Sequence, residues 1–576
     1  MLSAKRQQVL FIILATLSWI YLWLKAISAP LVFDEATSFF NYIYTGNFLP
    51  GQAFWSANNH LLNSALAWLS YSLLGMEEWV LRLPNLLAFP VFAFFSFKLM
   101  QKLQSPSLRL LAILLLFSNH YLLEFFAFAR GYGLMMAAIL ASLWYLSESW
   151  QKPTTKNLIK LWLSLSLGIL SNVSWLPLMG LMVLATGWIL IKNRRFLPLP
   201  LFLLPILYAL WNAWQLKIHH QLYYGGEQGF ISDSLESLVN SAFGQSAKLD
   251  LLLSAGALFV LSLGIILFQK KADSQTWRPL SFGFAFIAIT LFYPIGHWLI
   301  GLKFPFDRAL IYWFLFGQVA FIVLIDHLQK GQTKSTLLFL LWTLAFPIAF
   351  LQQFDLKAAS FQSWRKEQIP ENYYHQAKAE KVQSIGGSYL LAPQWYYYQL
   401  KFGAPLPAFQ KSAAPIHQLQ LSQEQYPKPS CSGNFWSKCI HQPIYRTVAP
   451  KDYHLQDEAL VKSHQDTAGF HITEIARDSG VDAFSLGTEI RLKAKAQKLS
   501  VVMQGFNADG ESIHFEAYEA KHYLKPDGHW QEWRLFVVLE EVDPAVEKLK
   551  FFLWNPKAEH FSLRNLHWQT WQEFEK

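Results

Sequence analysis

Cysteine is nearly absent: Cys431 and Cys439 are the only two in 576 residues. That excludes a disulfide-built scaffold, and neither residue has the partner spacing of a structural zinc site. The pair is a candidate for one small disulfide-closed loop if its segment lies outside the cytoplasm. Charge is scarce as well, at 15% of residues, against about 25% in ordinary soluble domains. Also missing are a Walker A phosphate loop, GxGxxG, HExxH and GxSxG. Nothing therefore supports a nucleotide-powered pump or a zinc protease. If there is chemistry, its energy arrives with the substrate. There is no internal repeat and no low-complexity tract.

The scarcity of charge is uneven. Residues 1–355 hold 37 charged side chains, 23 basic and 14 acidic, whereas residues 356–576 hold 50, split evenly. The net charge of +9 therefore lies in the first part. The first part has a membrane-like composition and the second an ordinary soluble one. Basic residues are scattered through short loops, not gathered on one face, so no nucleic-acid partner is expected.

A helix crosses about 30 Å of hydrocarbon with roughly 17–25 residues. Apolar runs lie near 9–28, 83–101, 109–123, 133–148, 158–171, 176–191, 196–214, 250–269, 280–299, 309–327 and 336–353. The first is too long and aromatic for a cleaved signal peptide and reads as a retained helix. Residues 60–75, with Asn63, Ser64, Ser70 and Ser72, suit either a span or an interfacial amphipathic helix. If they do not cross, alternate loops collect 16 basic and three acidic residues, and the opposite side seven basic and 11 acidic. The positive-inside rule then predicts eleven spans, a cytoplasmic N-terminus and an extracytoplasmic C-terminal domain. The outer loops are 29–82, 124–132, 215–249 and 300–308.

Residues 356–450 mix a helical start (Glu371 to Ser384) with strand-like Ser388-Tyr-Leu-Leu. Residues 451–576 alternate as short strands at Glu489–Lys495, Lys498–Met503, Trp530–Val538 and Lys548–Trp554. Turn signals at Asn507-Ala-Asp-Gly and Pro526-Asp-Gly separate some of them. The expected fold is a polytopic α-helical membrane protein of about eleven spans with a C-terminal α/β plus β-sandwich region. Trp530, Trp533 and Trp554 are candidates for stacking on sugar rings, with core packing as the alternative.

Four groups of residues could carry chemistry. Asp34-Glu35 follows the first run beside apolar and aromatic neighbours. Partial desolvation would suit a carboxylate there to act as a base; the alternative is capping of a helix starting near Ala36. Asn58-Asn59-His60 precedes the ambiguous helix and could cap it. Arg82 leads into a span and could anchor at the interface. Arg130-Gly-Tyr132 and Lys303-Phe-Pro-Phe-Asp307-Arg308 occupy two short loops on the same face. Two guanidinium groups there would hold a lipid phosphate by bidentate bonds, or anchor ordinary head groups. His219, His220, Tyr223 and Tyr224 read as polar loop residues.

The order of these pieces resembles the GT-C class of integral-membrane glycosyltransferases that use polyprenyl-phosphate sugars. The likeness is to bacterial relatives of protein O-mannosyltransferases and of the lipid A aminoarabinose transferase. It rests on Phe33-Asp34-Glu35-Ala36, Asn59-His60-Leu61-Leu62, Gly75 to Pro84 (GMEEWVLRLP), Phe128-Ala-Arg130-Gly-Tyr132 and Phe304-Pro-Phe-Asp-Arg308. It covers about residues 1–355. His60-Leu-Leu stands where the family often has His-Pro-Pro, and Arg130-Gly-Tyr where some members carry an acidic pair.

The resemblance implies an undecaprenyl- or dolichyl-phosphate sugar donor and an envelope glycan (lipopolysaccharide among them), lipid or protein acceptor. It implies Asp34 as catalytic base, with Glu35 as its helper or as a ligand of the acceptor. It implies substrate contacts from His60, Asn59, Arg82, Arg130, Tyr132, Lys303 and Arg308, and inversion at the anomeric carbon. No cofactor is expected; a divalent metal stays open but unsupported. The location implied is a bacterial inner membrane, with membrane lipids as partners and a periplasmic C-terminal domain. Two alternatives remain: a transporter or flippase of lipid-linked sugars, and a membrane-tethered glycan-binding protein.

Overall fold

The computed structural model describes residues 4–195, 198–222, 224–244, 249–267, 277–328, 334–382, 385–403, 409–411, 419–422, 444–447, 453–465, 469–476, 479–492, 499–539, 542–556 and 561–573. Cys431, Cys439 and Tyr223 lie outside the described residues. The chain forms two compact units. One comprises Met1–Ala29 with Gly46–Gln362, the other Pro30–Thr45 with Ser363–Lys576.

The first unit is helical, as apolar sequence must be where no water can satisfy the backbone. Six of its helices are long and apolar enough to cross a membrane: Lys5–Ser28, Glu78–Met100, Val173–Lys192, Pro200–Ile218, Pro279–Ile300 and Asp307–Leu328. Length and composition thus support six spans among the described residues, where the sequence predicts eleven. The other expected runs are helical too, among them Tyr132–Gln151, Thr155–Ser171 and Lys334–Gln353. The run 109–123 is broken. Pro106–Phe117 ends at Ser118, and Asn119 starts a separate five-residue helix, His120–Glu124, by accepting the Leu122 N–H at 3.3 Å. Residues Leu61–Leu74 form a helix of 14 residues, short of what crossing requires.

One buried charge pair ties distant parts of this unit together. Lys25 Nζ lies 2.5 Å from Glu124 Oε1, with both side chains essentially sealed from solvent. Lys25 also donates to the Asp355 carbonyl at 3.1 Å, and Glu124 accepts the Ser360 N–H at 2.7 Å. Each extra bond offsets part of the desolvation cost, several kcal/mol per ion, that the pair alone would carry.

In the second unit, β1 (Ile385–Gly387) lies parallel to β2 (Phe409–Lys411) and β3 (Leu419–Ser422), and β4 (Ile444–Thr447) runs antiparallel to β3. The helix Ala392–Phe402 makes the crossover from β1 to β2, as parallel pairing demands. The strand falls three residues before the expected Ser388-Tyr-Leu-Leu. That tetrapeptide instead turns, with Leu391 N–H bonded to the Ser388 carbonyl at 2.9 Å, into a helix with proline in its first turn. The expected helix ends early, at Ala379.

The expected sandwich is present. Strands β5 (Tyr453–Gln465), β6 (Gly469–Ala476), β7 (Ala483–Leu492), β8 (Ser500–Phe506), β9 (Ser512–Glu519), β10 (Trp530–Val538), β11 (Lys548–Trp554) and β12 (Phe561–Glu573) form two antiparallel sheets. Their orders are β10-β7-β12-β5 and β6-β11-β8-β9. The inward positions, Phe484, Leu486, Ile490, Val501, Met503, Leu549 and Phe551 among them, make one core. Trp533 belongs to that core at 1% exposed, so it is not available for stacking on sugars. Trp530 and Trp554 do face outward. Arg491 and Arg564 lie over the Trp530 ring, at 5.1 and 4.4 Å.

Candidate functional site

The helical unit brings two of its loops together. Gly226 and Phe304 form an isolated antiparallel bridge with N–O distances of 2.8 and 2.9 Å. Gly225 permits it: its φ is +142°, and a Cβ there would lie 2.8 Å from Lys303 Cβ. Ser234 Oγ donates to the Pro305 carbonyl at 2.7 Å, and the Asp307 N–H donates to Ser237 Oγ at 2.8 Å. These bonds fix the start of the 3₁₀ turn Asp307–Leu310 that carries Arg308.

Arg308 then packs its guanidinium on the Tyr224 ring, at 4.6 Å. The Tyr224 hydroxyl donates to both Asp307 oxygens at 3.0 Å. Partial burial, with 40% of Tyr224 still exposed, and the Asp307 carboxylate push its phenol above the usual range, so it stays a donor. Tyr121 and Tyr224 are both within electrostatic reach of the same Asp307–Arg308 pair, and of Tyr132. The Tyr121 hydroxyl is buried with no hydrogen-bond partner among the described residues.

Arg130, in the loop before Tyr132–Gln151, is 3% exposed and lies within electrostatic reach of His60. An amide relay holds that loop. Asn63 Nδ2 donates to the Ala129 carbonyl at 3.1 Å, Asn85 Nδ2 to Asn63 Oδ1 at 2.7 Å, and Leu134 N–H to Asn85 Oδ1 at 3.2 Å. Asn63, noted in the sequence only as a polar position of the 60–75 stretch, and Asn85 thus position Arg130; nothing in the local pattern marks that role.

His60 sits against this loop, its ring 5.3 Å from that of Tyr132. Burial first, then the nearby Arg130 and Arg308, drive its pKa well below the ordinary imidazole value. It is therefore neutral. One ring nitrogen bonds the Ser171 carbonyl, whereas Nε2 is buried with no hydrogen-bond partner among the described residues. That bonding pattern assigns the tautomer with the proton on Nδ1 and leaves Nε2 an acceptor. Such a nitrogen suits a sugar hydroxyl, not a phosphate oxygen.

Gly131 is the steric key to this junction. It holds a left-handed conformation at φ +46°, and a Cβ would clash with the Ser171 carbonyl and come 2.9 Å from His60 Cβ. Gly131→Ala is expected to destabilise the protein by about 1–3 kcal/mol, the cost of one strained backbone position. Thermal unfolding of the purified full-length chain checks this.

The remaining expected site residues are elsewhere or otherwise engaged. Asn59 bonds the Phe48 carbonyl and Ser64, at 3.0 Å each, and lines a shallow cleft with Trp55, Tyr208 and Asn212. Arg82 is fully buried and donates to the Ala26 and Ala29 carbonyls at 2.9 and 2.6 Å, closing the end of the first helix. Lys303 pairs with exposed Glu227 at 3.3 Å. His219 stacks on Trp55 with centroids 5.6 Å apart. Tyr224, read from the sequence as a loop residue, is part of the cluster. Asp34 and Glu35 belong to the second unit, in the short helix Phe33–Ser38. Glu35 is buried, and its Oε2 accepts the Val32 N–H at 3.1 Å, an N-terminal cap. Asp34 is half-buried. Among the described residues, no three His, Cys, Asp or Glu side chains gather in a way that could hold a metal ion.

No protein-family model and no curated protein matches the chain. Solved structures do resemble it. The arabinosyltransferase EmbB of Mycobacterium smegmatis aligns with 99% of this chain at 10% identity and a TM-score of 0.31. This chain spans 66% of EmbB's length, just under two thirds. ArnT of Cupriavidus metallidurans in its apo state aligns with 71% of this chain and 86% of its own, at 12% identity and a TM-score of 0.32. The same protein bound to undecaprenyl phosphate aligns over 72% and 87%, at 13% identity and a TM-score of 0.36.

Proposed function

We propose that the protein is an integral-membrane glycosyltransferase. It moves a sugar from a polyprenyl-phosphate donor to a glycan, lipid or protein acceptor on the extracytoplasmic face of a bacterial inner membrane. The observation that carries this reading is the convergence of Arg130, Arg308 and neutral His60 in a unit built of apolar helices. Charged groups in such a setting are expensive and mark function more often than anchoring.

In the proposed step, an acceptor hydroxyl attacks the anomeric carbon from the face opposite the phosphate. The new C–O bond forms as the bond from that carbon to the phosphate oxygen breaks, with inversion. Polyprenyl phosphate leaves with the electron pair, and Asp34 takes the acceptor's proton. Asp34 has this role from its Phe33–Ala36 motif. Arg130 and Arg308 face the negative charge that grows on the leaving phosphate. Fixed donors of this kind are worth about 10²–10³ in rate where water is excluded. Tyr132 and Tyr224 supply phenolic donors, and His60 Nε2 accepts from a sugar hydroxyl.

A coupled transporter would need an ionisable group available inside a span. Asp326, an acidic residue inside an expected span, instead accepts the backbone N–H groups of Gln104 and Ser105 at 2.9 Å. That use disfavours the transporter. Deleting the gene in its host and comparing envelope glycans and secreted glycoproteins by mass spectrometry tests the proposal. One sugar mass should disappear and return with the wild-type gene. An unchanged glycan profile would remove the transferase reading.

A further inference from the structure

The carboxylate motif sits in a segment of unusual allegiance. Residues Pro30–Thr45 lie next in the chain to the first long helix, yet they pack with Ser363–Lys576. Both ends are tied there. Gln368 Nε2 donates to the Pro30 carbonyl at 2.6 Å, and the buried Tyr44 hydroxyl donates to the Leu524 carbonyl at 2.9 Å. Between those ties, aromatic edges interlock. Phe33 meets Tyr389 at 6.0 Å, Phe39 meets Tyr397 at 5.1 Å, and Phe40 meets His522 at 4.8 Å. His522 in turn stacks flat on Tyr396, with centroids 4.5 Å apart and planes 6° from parallel.

The helix that carries Asp34 has six residues and runs into a π-helical turn, Phe39–Ile43. A helix that short has no stability of its own. Its position comes from what it packs against, and the contacts above are all with the C-terminal unit.

We infer that the C-terminal unit positions the base: Tyr44 and the Tyr396–His522 stack hold the Asp34 helix in its catalytic orientation. This rests on the reading of Asp34 as the base. On this reading the C-terminal unit carries and holds the base. His522 acts as a ring, not as an acid. Burial, reinforced by Lys521 and Lys411 and opposed by Glu519, holds its pKa at about 3, so it is neutral at working pH.

The test uses the full-length chain in the deletion strain, at matched protein levels. Two readouts are taken: the rate at which the missing glycan returns after induction, and undecaprenyl phosphate bound by the purified protein in native mass spectrometry. A base displaced by about 1 Å loses on the order of 100-fold in rate. His522→Ala should therefore slow glycan return by roughly 10- to 100-fold, with lipid binding unchanged. His522→Phe, which keeps the ring, should restore most of the rate. Tyr44→Phe, which keeps the ring and loses the hydroxyl that donates to Leu524, should slow transfer severalfold, and it decides alone if His522→Ala does not accumulate.

Wild-type rates in His522→Ala and Tyr44→Phe, with Asp34→Asn inactive, would overturn the positioning role and leave the transferase standing. His522→Phe as impaired as His522→Ala would also overturn it, by showing that the imidazole itself acts. So would lipid binding lost in step with the rate, the mark of general damage. An active Asp34→Asn would instead remove the reading beneath the inference.

Discussion

Asp34→Asn, expressed at the wild-type level in the deletion strain, should restore none of the missing sugar. The substitution is close to isosteric. It keeps an acceptor oxygen and a residue type that favours helix starts, so Phe33–Ser38 should form as before. It removes the negative charge and, with it, the ability to take a proton. Loss of a general base costs about 10²–10⁴ in rate, enough to empty a steady-state glycan signal. A transporter would behave differently. Flipping a lipid-linked sugar needs no proton taken from an acceptor, so the variant would move its cargo and the glycan would return. Full restoration would therefore move the transporter and binding readings ahead. Partial restoration to about a tenth would fit a water or Glu35 taking over as a weaker base. Glu35→Gln in the same background separates those two, since a residual rate that survives the double change cannot pass through Glu35.

Parts of this molecule were legible from sequence for identifiable reasons. Apolar runs fold as helices because hydrocarbon leaves the backbone no other partner, and among the described residues the expected runs are helical, 109–123 in two pieces. The sandwich strands announced themselves by alternation, because one face of each is core; β8, β10 and β11 fall nearly where they were expected. Arg130 and Arg308 were paired by membrane parity alone, and both act on His60. What stayed hidden depends on contacts between distant positions. Tyr224 joins the cluster only because the Gly226–Phe304 bridge folds its loop onto Arg308. Trp533 and Trp530 are three residues apart on one strand, so they face opposite sides, one into the core and one to solvent. The allegiance of residues 30–45 is carried by hydrogen bonds 338 and 480 positions apart. No local pattern encodes such a link. Arg82 shows a third limit. An arginine leading into a span can anchor, bind or cap, and only the carbonyls of Ala26 and Ala29 decide that it caps.

Arg308 gives the second large effect. Arg308→Ala should lower glycan return by about 10²–10³, the usual cost of removing one fixed donor from a developing anion, and should weaken undecaprenyl phosphate binding by the purified protein. Arg308→Lys should fall between alanine and wild type. Lysine keeps the charge but loses the planar fork that matches a phosphate and stacks on an aromatic face, here the ring of Tyr224. The anchoring alternative predicts another order. A head-group anchor needs a long side chain with a charged tip, so lysine would be as good as arginine, and alanine would cost stability, not rate. Combining Arg308→Ala with Arg130→Ala sharpens the distinction. If both hold one phosphate, the second removal should cost less than the first, because residues sharing a partner are not additive. If they anchor separately, the two costs should add. Additive losses, with lysine indistinguishable from arginine, would turn the cluster from a phosphate site into two membrane anchors and leave the donor's phosphate to be found elsewhere.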